Sequence, residues 1–246
     1  MDGVLYRGDE PVPGAKEAVE RLRARGIRIV FCTNNSTAAV EDYVAKLTGM
    51  GITATAEDVL TSAVVTARVL EERGFRGRRA IVVGGRGLRA GLESVGLAIV
   101  DDPDVTAADI VVVGLDTSFD YAALRRAADA VRAGARFVAT NDDATLPAAG
   151  GIWPGAGSIV AAIETAAGRR AEVMGKPHAP MMDSVAARLA GAAHIAAVGD
   201  RPETDLAGAS ERGWTTVLVF SGVTSAADAR RLDPPPDLIL DSIADL

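Results

Sequence analysis

The sequence predicts an α/β protein with parallel sheets. Short apolar runs at residues 27–32, 80–83, 110–113 and 195–198 read as buried strands. Segments with apolar residues at i, i+3, i+4 and i+7 lie between them and read as amphipathic helices. Because a helix separates each pair of strands, the strands must run the same way, with helices covering both faces.

Taken in order, Pro13-Gly14 opens a helix whose Ala15, Ala18, Val19 and Leu22 share one face, and Gly26 ends it. A strand over 27–32 follows. Thr33-Asn34-Asn35-Ser36-Thr37 is a polar turn rich in N-capping residues, and the next helix carries Val40, Tyr43, Val44 and Leu47 on one side. A strand that ends in hydroxyls and amides at a helix start is suited to holding an anion. The middle of the chain repeats the alternation, with strands at 80–83, 98–100, 110–113 and 137–139 and helices near 62–73, 87–95, 120–133 and 157–167. After Gly175 come a helix at 180–190, a strand at 195–198, a helix over 204–212 and a strand at 216–220. Three prolines, Pro234 to Pro236, form a stiff connector before a last short strand.

Composition narrows the function classes. The 246 residues are 48% hydrophobic, enough to bury one large or two medium cores. A net charge of −7 argues against a nucleic-acid partner, which would need clustered Lys and Arg. The single Cys32 precludes a disulfide framework and fits a reducing compartment. No apolar stretch of 18 residues and no charged-then-apolar leader is present, so no membrane partner is expected and a cytoplasmic location is the default.

Four positions carry candidate chemistry. Asp200 follows the strand at 195–198, so its carboxylate stands at the carboxyl end of a parallel sheet, where open α/β folds bind ligands. Thr33 ends its own strand in the same way, and so would Asp2 if a strand lies upstream of it. Two acids and a hydroxyl converging on one crevice suit a hard cation such as Mg²⁺ together with a phosphate. Lys176, held between Gly175 and Pro177, supplies compensating positive charge. Taken singly, Thr33 reads as a helix cap, Lys176 as a surface lysine and Asp200 as a turn residue. Their conjunction favours a site.

Asp2-Gly3-Val4-Leu5, Thr33-Asn34-Asn35-Ser36, Gly175-Lys176-Pro177 and Gly199-Asp200-Arg201 with Thr204-Asp205 resemble, in order, the four motifs of the haloacid dehalogenase (HAD) superfamily. The nearest group is the NagD-like phosphatases. Tyr6-Arg7-Gly8, Thr140-Asn141-Asp142-Asp143 and Pro154-Gly155-Ala156-Gly157-Ser158 extend the likeness over nearly the whole chain. The resemblance implies a Rossmann-like core formed by residues 1–61 and 174–246 and an inserted α/β cap at 62–173. It also implies a Mg²⁺-dependent phosphomonoester hydrolase that acts on a small phosphorylated metabolite, and a cap that can mediate a homodimer.

Carried over by position, Asp2 matches the carboxylate that protonates the leaving oxygen and later activates water. Thr33 and Asn34 bind the phosphoryl group, Lys176 offsets its charge, and Asp2 and Asp200 hold the metal with Asp205 supporting that shell. Asn35, Asn141 and Asp143 are further substrate-binding candidates. The family signature is Asp-x-Asp-Gly, and Met1 occupies the x position. The nucleophilic aspartate and an apolar strand of about four or five residues are therefore expected just upstream of Met1, and the chain beginning at Met1 should turn over little.

Two other functional classes compete. A core without its nucleophile would be a non-catalytic phosphoester-binding protein. Separately, Gly85-Arg86-Gly87-Leu88-Arg89-Ala90 after an apolar run fits a relaxed dinucleotide fingerprint, with Asp101-Asp102 beyond the next strand, and suggests a nicotinamide-dependent dehydrogenase. The alternative is a tight strand-to-helix turn, and the fingerprint explains none of Thr33, Lys176 and Asp200. His178, His194, Trp153 and Trp214 read as structural or packing residues, and Cys32, with no base beside it, reads as inert.

Overall fold

The computed structural model describes residues 1–102, 107–148 and 151–246. The chain divides into two compact units, the first comprising Met1–Thr33, Glu41–Leu60 and Lys176–Leu246, the second Asn34–Val40 and Thr61–Gly175. The second unit includes the 34–40 stretch, which an insert beginning at 62 would leave with the core. Among the described residues no helix is long and apolar enough to cross a membrane.

The first unit opens with a hairpin of β1 (Tyr6–Arg7) and β2 (Glu10–Pro11), then α1 (Ala15–Ala24), β3 (Phe31–Thr33), α2 (Val40–Gly49) and β4 (Val59–Thr61). α1 buries Ala15, Ala18 and Val19, three of the four residues on the apolar stripe read from the sequence. The expected strand at 27–32 is shorter than its apolar run. The Ile27 amide returns to the Leu22 carbonyl (3.1 Å), and the first bond toward β4 is Phe31 N–H to Asp58 C=O (2.7 Å). A β-strand exists only where a neighbour takes up its peptide groups, and β4, three residues long, offers little ladder.

The chain returns to this unit through α7 (Ala179–Arg188), β12 (Ala196–Gly199), α8 (Ala207–Ser210), β13 (Thr215–Val219), α9 (Ala226–Ala229) and β14 (Leu238–Leu240). β12, β13 and β14 form a parallel sheet in that order. The single helix expected over 204–212 is a wide turn at Pro202–Leu206 that leads into α8. Pro202 brings no N–H to the start, and both the Thr204 and Asp205 amides bond the Arg201 carbonyl, at 3.2 and 2.7 Å.

Between these segments the second unit contains α3 (Ser62–Glu72), β5 (Arg79–Val83), α4 (Arg86–Ser94), β6 (Ala98–Ile99), β7 (Ile110–Val113) and α5 (Tyr121–Arg132). It continues with β8 (Arg136–Ala139), β9 (Thr145–Ala148), β10 (Gly151–Pro154), α6 (Ala156–Ala167) and β11 (Glu172–Val173). Five strands form a parallel sheet in the order β11-β8-β7-β5-β6. β7 reads Ile-Val-Val-Val because both of its faces are covered, and all four residues are fully buried. Val111, Val113, Ile81 and Phe137 pack with Ala127, Ala128, Val131, Ile159 and Ile163 of α5 and α6. β9 and β10 form a separate antiparallel hairpin, and its Trp153 is half exposed rather than packed as expected.

The glycines of the dinucleotide-like fingerprint have a packing role within this unit. A Cβ on Gly87 would lie 2.1 Å from the Ala38 carbonyl oxygen, and the Gly87 amide already donates to the Thr37 carbonyl (3.0 Å). The helix start that a pyrophosphate would need is therefore filled by the chain's own backbone. At the far end of the sheet Glu172 accepts two bonds from Arg73 (2.9 and 2.7 Å) and one from Arg136 (2.6 Å). The Arg73 hydrogen bonds, opposed by partial burial and reinforced by Arg136, bring its carboxyl pKa down to about 2.

Gly87→Ala should lower the urea midpoint, costing about 1–3 kcal/mol through overpacking. Gly49→Ala, at a helical position where an added Cβ meets nothing within 4 Å, should be neutral or stabilising. Glu172→Gln should destabilise at pH 7 by no more than ~1 kcal/mol, the range for a partly exposed ion pair. Because the folded pKa lies below the unfolded one, the wild-type advantage is present above about pH 4.5 and disappears as the pH falls through about 2. Urea melts of both proteins from pH 7 to pH 2 check this.

Candidate active site

β3 ends at Thr33, β12 ends at Gly199 with Asp200 next, and Lys176 precedes α7, so the topology of the first unit delivers all three toward the carboxyl ends of its strands. Side-chain bonds join the parts. Lys176 Nζ lies 2.5 Å from Asp205 Oδ1, with both side chains largely buried at 14% and 12% exposure. Asp205 Oδ2 in turn accepts the amides of Asp200 (3.1 Å) and Arg201 (3.2 Å). Gly199 is required beneath it, since a Cβ there would lie 2.1 Å from Asp205 Cβ. Both oxygens of Asp205 are thus engaged by the protein, which makes it a brace for Lys176 and for the start of the Asp200 loop.

Asp200 is buried at 5% exposure and accepts the Val223 amide (2.9 Å). Two glycines leave room for its carboxylate: a Cβ on Gly3 would stand 2.3 Å from Oδ2, and one on Gly222 2.0 Å. Gly3 has φ 72, which few other residues adopt, and its amide donates to Asp2 Oδ1 (2.9 Å). The Asp2 side chain is otherwise exposed to solvent. Burial, then repulsion from Asp205, raises the Asp200 pKa, opposed by the Val223 amide and the Met1 ammonium. Burial also works against the Asp205 carboxylate, but Lys176 overcomes it and holds that pKa below its ordinary value.

The Met1 nitrogen donates to the Cys32 carbonyl (3.4 Å), beside Thr33. Lys176, Asp205 and the Asp200 loop are joined by side-chain bonds, and Asp2 adjoins Asp200 through Gly3. Asn34, Asn141 and Asp143 form a different cluster inside the second unit. Asn34 Nδ2 donates to both Asp143 oxygens (3.3 and 3.1 Å), while the Asn34 carbonyl accepts from Asn141 Nδ2 (2.8 Å) and Ser62 Oγ (2.5 Å). Asn35 closes its own turn, its Oδ1 accepting from the Thr37 amide (2.9 Å) and hydroxyl (2.7 Å).

The loop after β13 is a contributor that sequence reasoning missed. Ser221 Oγ donates to the Gly3 carbonyl (2.7 Å), Arg7 Nε reaches the Ser221 carbonyl, and Val223 holds Asp200. The available signal was Ser221-Gly222 directly after an apolar strand, where a glycine often marks close backbone approach.

Comparisons with known proteins give the family of the chain. Residues 1–98 match the family described as haloacid dehalogenase-like hydrolase, and residues 173–246 match a second HAD-hydrolase-like family. The chain is 39% identical over 238 residues to a D-glycerol 3-phosphate phosphatase of Mycobacterium tuberculosis, covering 95% of this chain but 65% of that protein. It is 35% identical over 238 residues to an acid sugar phosphatase of Staphylococcus aureus, covering 96% of this chain and 90% of that one. Among solved structures, a mycobacterial glycerol phosphate phosphatase in complex with magnesium superposes with a TM-score of 0.88 at 38% identity, over 99% of this chain and 73% of that one. A p-nitrophenyl phosphatase from Archaeoglobus fulgidus superposes with a TM-score of 0.91 at 31% identity, over 99% of this chain and 94% of that one. The chain belongs to the haloacid dehalogenase-like hydrolases, in their NagD-like phosphatase group.

The Lys176–Asp205 pair yields a direct prediction. Asp205→Ala takes the 2.5 Å carboxylate contact from a largely buried ammonium and should cost about 3–5 kcal/mol in urea unfolding. Adding Lys176→Met to that variant should recover a large part of the loss, because the buried charge is then gone.

Proposed function

We propose that this chain is a magnesium-dependent phosphomonoester hydrolase acting on a small phosphorylated metabolite. The observation that carries the reading is the joining of Lys176, Asp205 and the Asp200 loop by side-chain bonds, with Asp200 seated against Gly3 next to Asp2. Phosphatase relatives of both glycerol phosphate and acid sugars support the substrate class.

The residues present fit a magnesium ion. Asp200 is a buried carboxylate in a glycine cradle, destabilised as an anion by burial and by Asp205, and it would be relieved by a cation. Among the described residues no cluster of three or more acidic, His or Cys side chains marks a closed metal site. The donor set would be the Asp200 carboxylate, the Asp2 backbone carbonyl, substrate and water, the oxygen set that Mg²⁺ prefers. Held by these residues, magnesium would supply charge neutralisation to the phosphoryl oxygens. Asp205 braces Lys176, so its support of the metal shell is indirect.

The nucleophile in this reading is a carboxylate one residue ahead of Met1. Its oxygen attacks phosphorus, the bond from phosphorus to the ester oxygen breaks, and protonated Asp2 gives its proton to the departing alkoxide. In the second step Asp2 takes a proton from water, the water oxygen attacks phosphorus, and the acyl-phosphate P–O bond breaks to release phosphate and regenerate the carboxylate. Lys176 stabilises the negative charge on the transferring group, and the Thr33 hydroxyl with the Asn34 amide binds its oxygens. Asn35, Asn141 and Asp143 belong to the same reading as substrate contacts, with Asn34 held by Asp143. A homodimer through the second unit is also part of it, and sedimentation velocity at micromolar concentration reads that directly.

Release of inorganic phosphate from p-nitrophenyl phosphate and a panel of small phosphomonoesters tests the proposal. The chain extended upstream by an apolar run ending in Asp should turn over with Mg²⁺ and lose activity with EDTA. Lys176→Met and Asp200→Asn should each lower kcat by at least ~100-fold. If the extended chain is inert toward every ester tried, the hydrolase reading fails. Saturable ester binding by that inert protein would then favour the non-catalytic alternative.

A further inference from the structure

The stretch Ser221-Gly222-Val223, beyond β13, bonds two other segments of the first unit. Ser221 is 4% exposed; its Oγ donates to the Gly3 carbonyl (2.7 Å), and its own carbonyl takes Arg7 Nε. The stretch is thus tied twice to the segment that follows Asp2. Two residues on, the Val223 amide donates to Asp200 Oδ2 (2.9 Å). Gly222 between them must lack a side chain, since a Cβ there would stand 2.0 Å from that oxygen. One short connection therefore reaches from the Asp2 turn to the Asp200 carboxylate.

The bonds at Gly3 fix the plane of the peptide before it. The Gly3 amide donates to the Tyr6 carbonyl (2.8 Å) while the Gly3 carbonyl accepts from Ser221, so the residue is held on both sides. In a trans peptide the C=O and N–H point in opposite directions, so an amide turned toward Tyr6 turns the Asp2 carbonyl away from it. Gly3 has φ 72 and no side chain to limit its rotation, so these hydrogen bonds hold the turn. Across from it, Val223 engages Asp200 Oδ2, and Oδ1 lies over Gly3, where a Cβ would stand 2.8 Å away.

We infer that Ser221 is a positioning residue whose hydroxyl sets the direction of the Asp2 carbonyl relative to the Asp200 carboxylate, and through it the preference of the site for Mg²⁺. The inference rests on the magnesium reading above, in which those two groups are donors. Mg²⁺ demands a near-octahedral set of oxygens, whereas Ca²⁺ accepts irregular and larger sets. Donors held by fixed bonds suit the first ion, and a carbonyl free to swing suits the second. Ser221 itself touches neither ion nor substrate in this account. Arg7, exposed on β1, acts one step further out by holding the Ser221 carbonyl.

The test titrates Mg²⁺ and Ca²⁺ into the 246-residue chain by calorimetry. Ser221→Ala should weaken Mg²⁺ binding about tenfold and Ca²⁺ binding by less than about threefold, and Ser221→Thr, which restores the hydroxyl, should recover Mg²⁺ affinity to within about twofold. Hydrogen exchange at the Gly3 amide should quicken about tenfold in the Ala variant and return in the Thr variant, while the β13 amides stay unchanged. Unchanged Mg²⁺ affinity in Ser221→Ala overturns the inference. So does an equal loss of both ions, the result of a loosened fold, or a Thr variant as weak as the Ala one. If Ser221→Ala does not fold, Arg7→Met should show the same Mg²⁺-selective loss at about threefold, and wild-type affinity there overturns the inference. Asp200→Asn separates the two claims. Loss of Mg²⁺ binding in that variant beside unchanged binding in Ser221→Ala sinks the positioning role alone. A wild-type chain that binds neither ion sinks the magnesium reading and the role with it.

Discussion

The first unit depends on one buried ion pair. Lys176 and Asp205 come from segments before α7 and after β12, and their 2.5 Å contact fixes the two strand-end loops against each other. Such a pair adds little net stability, because each ion pays for its desolvation, yet losing either partner strands a charge. Its value here is positional. Asp205 uses its second oxygen on the Asp200 and Arg201 amides, so the carboxylate that aims the ammonium also sets the loop that aims Asp200.

Close backbone approach is the constraint that makes this geometry possible. Gly3 and Gly222 leave no side chain where the Asp200 carboxylate sits, and Gly199 clears the way for Asp205. The second unit applies the same rule for a different end. Gly87 admits the Ala38 carbonyl to a helix start, so a glycine spacing that suggests a dinucleotide site makes an internal joint. Identical residue types thus serve a carboxylate in one place and a packed backbone in another, and only the neighbour distinguishes them.

Polar clusters in the two units differ in what remains free. Asn141 and Ser62 both donate to the Asn34 backbone carbonyl and Asp143 takes the Asn34 side-chain amide, a network that fixes a loop in a buried setting. Asp2, by contrast, keeps an exposed carboxylate next to a left-handed glycine turn. The first arrangement spends its hydrogen bonds on order, while the second leaves a carboxylate facing solvent.

Periodicity and turn chemistry in the sequence determined the α/β alternation, most helix positions and the fully buried β7, because those follow from local apolar spacing. The four motif segments marked Asp2, Thr33, Lys176, Asp200 and Asp205 as candidates by resemblance alone. Tertiary structure decided where residues 27–30 stop being a strand, that the 204–212 segment begins as a wide turn, and that Trp153 lies half exposed on a hairpin. It alone supplied the Ser221–Val223 loop as a partner of Gly3 and Asp200. The reason is physical: a strand, a cradle or an ion pair is a relation between distant segments, and no local pattern records which neighbour arrives.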